Sequence, residues 1–145
     1  MPDVYKPIRI TAALTLDRDS HANGPLLYFD VAAGATITLP ASAGKGDRYR
    51  FHVHTTITSN SAKIQVANAT DVMQGMILTC NDTDASMSGW ETASTSDTIT
   101  LNGTTTGGIR GDYIELEDAV SGFWRVSGCT SATGTEATPF SAAVS

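Results

Sequence analysis

Charge is scarce in this chain. Only 17% of its 145 residues are charged, and acids outnumber bases by fifteen to nine, for a net charge of −6. Phosphate binding needs a basic face, so neither DNA nor RNA is expected as a partner. Long apolar runs are also missing. The longest resemble Met76-Ile77-Leu78, too short to cross a bilayer as a helix, and no membrane partner is expected. Cysteine is limited to Cys80 and Cys129, too few for a disulfide framework. The opening residues, Met1-Pro2-Asp3-Val4-Tyr5-Lys6-Pro7, contain no apolar stretch of the kind an export leader carries. Without export, both cysteines are expected to be buried thiols rather than a bridge. Sustained apolar residues at helical spacing are absent throughout.

What the chain does contain is threonine, serine and glycine. Thr and Ser together supply roughly a quarter of it, well above average usage. Thr, Val and Ile suit a pleated surface, and thirteen glycines point to frequent turns. Ile8, Ile10, Ala12, Leu14 and Leu16 alternate with more polar residues, the period of a half-buried strand. Leu27, Phe29 and Val31 repeat the pattern and lead through Ala32-Ala33-Gly34 into Ala35-Thr36-Ile37-Thr38-Leu39, which reads as a hairpin closed by Pro40. Tyr49, Phe51 and Val53 then face inward, with Arg48, Arg50, His52 and His54 outward. Val72 to Cys80 is apolar enough for a central strand with a bulge at Gly75. Tyr113 to Glu117 and Phe123 to Ser127 form another hairpin around Ala119-Val120-Ser121-Gly122. The expected core is Ile10, Leu14, Leu27, Phe29, Ile37, Leu39, Phe51, Val53, Ile64, Ile99, Leu101, Ile114, Leu116, Trp124 and Val126.

The chain also repeats itself. Thr36-Ile37-Thr38-Leu39 recurs as Thr98-Ile99-Thr100-Leu101, and each copy is followed by a glycine-rich turn ending in Asp47 or Asp112 and then a strand. Two such units fit an all-β, two-sheet sandwich of jelly-roll type, built from paired Greek keys. The expected organisation is an N-terminal arm over 1–7, one sandwich domain over 8–129, and an extended C-terminal arm over 130–145.

Chemistry-bearing motifs are thin. His52-Val53-His54 puts two imidazoles on one strand face, as cupins do, but no glutamate or third histidine comes after them at the spacing a metal would require. No nucleophile elbow, phosphate loop or paired carboxylates for general acid–base work stands out, so neither an enzyme nor a cofactor is expected. Arg110-Gly111-Asp112 spells an adhesion tripeptide, but its counterpart Lys45-Gly46-Asp47 makes both of them turns that lead into strands. Asn68-Ala69-Thr70, Asn81-Asp82-Thr83 and Asn102-Gly103-Thr104 match a glycosylation sequon without an export signal.

Charge is polarised along the chain. Residues 1–70 carry seven bases and five acids, residues 71–145 two and ten, giving balances of +2 and −8. Aligning Asp47 with Asp112 sets Arg50 against Glu115 and His52 against Glu117. These outward faces could meet between subunits of a ring, remain solvated, or pair across a sheet within one chain. Candidate protein-contact residues are therefore Arg48, Arg50, His52, His54, Glu115 and Glu117. Tyr5 and Phe140, aromatics of the two arms, join them.

Two stretches carry a resemblance. Gly34 to Pro40 with Arg48-Tyr49-Arg50-Phe51, and Gly111 to Leu116 with Gly122-Phe123-Trp124-Arg125-Val126, resemble patterns in virion proteins of tailed bacteriophages. Small capsid decoration (cement) proteins and tail-fibre modules are among these, and the likeness spans most of residues 25–140. It implies a β-sandwich that binds the major capsid protein on the outer capsid surface, after assembly in the host bacterial cytoplasm, and stabilises the shell. It further implies self-association, a trimer before a dimer, termini that act as clamps, and no catalytic residues or cofactor. A fibre module that binds a receptor or glycan is the alternative, and a jelly-roll enzyme or metal protein the third reading.

Overall fold

A computed structural model describes residues 6–145. Twelve strands and one helical turn form two sheets packed face to face. The strands are β1 (Ile8–Ile10), β2 (Leu14–Thr15), β3 (Leu26–Phe29), β4 (Thr36–Thr38), β5 (Arg48–Val53), β6 (Ala62–Gln65), β7 (Val72–Asn81), β8 (Met87–Glu91), β9 (Thr98–Leu101), β10 (Tyr113–Val120), β11 (Phe123–Ala132) and β12 (Phe140–Ser141), with α1 at Arg18–His21. Seven strands make one sheet in the order β1-β3-β5-β10-β11-β7-β8. Five make the other in the order β12-β9-β6-β4-β2. The sandwich expected from the sequence is thus present.

The core arises from period-two patterning. Leu14, Ile37, Ile64, Ile99 and Phe140 are successive register partners across the whole five-stranded sheet. On the facing sheet Ile8, Leu27, Phe51, Ile114, Gly128, Ile77 and Trp90 form the matching row. Every expected core residue is buried except Leu14, which packs partly exposed at the edge, and Leu16, Tyr49, Ile57, Val66, Met73 and Ile77 join them. Phe29 stacks near Phe51 at 6.2 Å, and Tyr49 meets Trp124 edge-on at 5.7 Å, geometries that aromatic pairs favour.

The connections differ from those expected. The run Ile8–Leu16 is two strands, not one: β1 lies in the seven-stranded sheet and β2 in the other, with exposed Thr11-Ala12-Ala13 crossing between them. Residues 26–39 form no hairpin, because β3 and β4 lie in opposite sheets. The first six strands alternate sheets, so same-sheet neighbours β1-β3-β5 and β2-β4-β6 run parallel. The first half is therefore a coil wound between two sheets rather than a Greek key of hairpins. The β10–β11 hairpin is found as expected, with a register shift between Asp118 and Val120.

Gly75 makes no bulge against β11, whose ladder with β7 runs unbroken from Val72 to Asn81. Its φ is 149°, and a Cβ there would lie 1.9 Å from the Val126 carbonyl oxygen, so only glycine lets the two strands approach.

The C-terminal segment is no free arm. Thr130–Ala132 continue β11, and β12 pairs with β9. Phe140 is 8% exposed, so the one aromatic of the expected arm is a core residue. Asp97 holds the last three residues in place: its carboxylate accepts from the backbone N–H of Ala143, Val144 and Ser145 at 2.9–3.3 Å. Most of the N-terminal arm, Tyr5 included, lies outside the described residues.

Candidate functional site

The outer face of the seven-stranded sheet collects nearly all the side chains singled out by the sequence. Arg48, Arg50 and His52 project from β5 opposite the core residues Tyr49, Phe51 and Val53, and exposed His54 lies just past the strand. Glu115 and Glu117 project the same way from β10.

The repeat explains how they meet. β5 and β10 are antiparallel neighbours with register pairs Arg48↔Glu117, Arg50↔Glu115 and His52↔Tyr113. Arg50 and Glu115 are the equivalent residues of the two units, so a local two-fold passes through that pair. β4 and β9, the Thr-Ile-Thr strands, likewise flank β6 on opposite sides. The repeat ends there, because the strand after β5 is β6, in the other sheet, whereas the strand after β10 is β11, in the same sheet. The basic and acidic faces therefore meet across one sheet within one chain. Arg48 Nε stands 3.5 Å from Glu117 Oε2, while Arg50 donates to the Gly24 carbonyl at 2.6 Å. Facing opposite charges on neighbouring strands contribute about 0.2–1 kcal/mol each, so these residues are explained inside the fold. A head-to-tail ring is not needed to neutralise them.

Around this dyad lies an open groove of about 570 Å³, lined by Asn23, Gly24, Gly46, Arg48, Arg50 and Glu115. Its walls are set by buried aspartates. Asp47 binds Asn23 Nδ2 at 2.8 Å and Arg18 Nε at 2.7 Å. Asp118 reaches into the 42–45 turn, accepting from Ser42 Oγ at 2.7 Å and from the N–H of Ala43, Gly44 and Lys45 at 2.9–3.2 Å. Burial raises the Asp118 pKa, but these hydrogen bonds outweigh it and hold the carboxyl below its usual range. Asp112 behaves oppositely. Burial dominates and raises its pKa, although Gly108, Ile109 and Ser131 all donate to it. The adhesion-like tripeptide is thereby a loop anchor, its Asp112 being 3% exposed. Asn68 and Asn102 of the sequons similarly cap their own turns.

Tyr28, His52, His54 and Tyr113 add an aromatic patch, with Tyr28 and His54 edge-on at 5.9 Å and the two imidazoles 6.3 Å apart. Among the described residues, no three His, Cys, Asp or Glu side chains converge to hold a metal ion.

Sequence reasoning missed the other half of this face. Met76, Leu78 and Cys80 of β7, Met87 of β8 and Cys129 of β11 all project outward. Met76 is 50% exposed, Leu78 38% and Met87 55%, with Phe123 and Val120 exposed at the hairpin end. Both cysteines are exposed, correcting the expectation of buried thiols. The run 72–80 does not read as amphipathic because its outward residues are apolar as well, a pattern shared with a strand buried on both faces. No family model, curated protein or solved structure matches the chain.

Proposed function

We propose that this chain is a capsid decoration protein of a tailed bacteriophage, which lays the outer face of its seven-stranded sheet on the major capsid protein and stiffens the shell. The observation that carries this reading is the apolar half of that face. Met76, Leu78, Met87, Cys80 and Cys129 occupy adjacent outward positions on three neighbouring strands. Solvated sheet faces carry polar side chains there, and contiguous exposed apolar surface marks a contact site. The charged pairs around Arg50 and Glu115 border this surface, as a polar rim borders an apolar interface centre. The virion-protein resemblance supplies the partner.

Self-association, a trimer before a dimer, belongs to the same proposal, with contacts drawn from surfaces other than the Arg50–Glu115 pair. The test is co-sedimentation with empty shells of the phage that carries this chain. Wild type should pellet with the shells. Leu78→Glu with Met76→Glu, at exposed positions that leave the core intact, should stay in the supernatant. Equal pelleting by the double variant would remove this face from the contact.

The groove beside the dyad favours a second reading, a fibre module that binds a receptor glycan. Two arginines, one glutamate and the neighbouring Tyr113 offer hydrogen bonds and a stacking ring to a saccharide. Arg50→Ala should then abolish glycan binding without affecting shell attachment.

A further inference from the structure

The structure gathers sulfur on one surface. Of the five cysteine and methionine side chains among the described residues, only Met73 is in the core. Cys80, Cys129, Met76 and Met87 all stand on the outer face of β7, β8 and β11. Cysteine is among the most buried residue types, so two exposed thiols on adjacent strands call for an explanation. The register fixes their relation. Cys129 is the partner of Leu78 and Cys80 the partner of Ser131, which makes the cysteines diagonal neighbours on one face. Across β7 and β8, Cys80 is the direct partner of Met87.

With parallel strands about 4.8 Å apart and a two-residue rise of about 6.6 Å, these diagonal neighbours lie about 8 Å apart, beyond the ~6.8 Å at which two Cα atoms can be joined by a disulfide without moving the backbone. A metal–thiolate bond is ~2.3 Å, so one bridging ion spans about 4.6 Å between sulfurs, a separation that side-chain rotation brings within reach. Zinc would require four donors, and among the described residues no third His, Cys, Asp or Glu joins the two thiols. Met87 stands on β8, on the far side of β7 from Cys129, so it does not share the space between the two thiols. A pair of thiolates is a soft ligand set, which selects monovalent copper or silver over harder ions.

We propose that Cys80 and Cys129 form a surface site for one soft monovalent cation, Cu(I) or Ag(I). Two sulfur–metal bonds form, each thiol releases its proton to solvent, the metal keeps its oxidation state, and the two thiolates hold it in a linear two-coordinate set. The site is a property of the free chain and stands whether or not the capsid reading does.

The experiment is an anaerobic titration of the purified chain with Cu(I) held as its bicinchoninate complex, read by competition and by native mass spectrometry. One Cu(I) per chain is expected, with affinity rising about hundredfold per pH unit below the thiol range because two protons leave. Cys80→Ser and Cys129→Ser should each weaken binding at least about a hundredfold, while Met87→Leu should leave it unchanged. On the unaltered chain, a thiol reagent should label both cysteines, and one equivalent of Cu(I) should protect both together. Single-cysteine variants that bind as tightly as wild type would overturn the site. So would protection of one thiol alone, or a copper-linked species containing two chains.

Discussion

Removing the Asp118 carboxylate tests the loop architecture most sharply. Asp118 is 4% exposed, and its two oxygens accept hydrogen bonds from the Ser42 hydroxyl and from the backbone N–H groups of Ala43, Gly44 and Lys45. Its own backbone meanwhile pairs with Gly46 and Asp47. Asp118→Ala leaves that backbone pairing in place but strips four donors of their acceptor. Hydrogen bonds to a charged group contribute about 1.5–3 kcal/mol each, and a donor left unsatisfied costs about 1–3 kcal/mol when water cannot replace the partner. The turn lies near the surface, so water recovers part of this loss. The expected net cost is about 3–4 kcal/mol, a large share of a small domain's stability. Asp118→Asn keeps one carbonyl acceptor and should cost roughly half as much. Urea unfolding monitored by tryptophan fluorescence reads both, since Trp124 is buried against Tyr49. A loss below about 1 kcal/mol for Asp118→Ala would show that the turn holds itself, and the reasoning would fail.

Acid should act through the same groups. The Asp118 and Asp97 pKa values are held below the ordinary carboxylate value, burial opposing and hydrogen bonds prevailing. Their contribution is therefore present above the unfolded carboxylate pKa and is lost as pH falls through the folded values, so chemical denaturation should show stability dropping below about pH 4. The Asp112 pKa is raised, so that group works in the opposite direction and shallows the slope. Phe140→Ala should cost about 3–4 kcal/mol, as expected for a buried aromatic, and expose the chain after Ala132 to limited proteolysis. An uncut tail would contradict its anchoring through β12. Arg50→Glu should destabilise the chain by up to about 1 kcal/mol by setting like charges opposite one another, and Glu115→Arg in the same chain should recover it at unchanged oligomeric mass. Recovery that appears only as reassembly of an oligomer would place the pair between chains instead.

Particular residues show why some of this was legible in the sequence and some was not. Alternation told which side chains face the core, and Leu27, Phe51, Ile64, Ile99 and Leu116 lie where it put them. It could not tell which strand is whose neighbour, because a period of two is the same for a hairpin and for a chain that crosses to the opposite sheet. Hence β3 and β4 read as a hairpin while lying in different sheets. The Asp47–Asp112 alignment did place Arg50 opposite Glu115, and only the pairing of β5 with β10 showed the contact to be internal. Phe140 was hidden because one aromatic among small polar residues carries no period. The outward sulfur face was hidden because Met76, Leu78 and Cys80 are as apolar as the core residues between them.

Oxidative footprinting of the methionines tests most directly whether the outer face is the docking surface. Met76 and Met87 are half exposed, and Met73, at 1% exposure, is an internal control. In the free chain Met76 and Met87 should oxidise readily and Met73 slowly. On decorated shells Met76 and Met87 should both become protected while Met73 stays unchanged. Shell-bound protein whose Met76 and Met87 oxidise as fast as in the free chain would contradict the account.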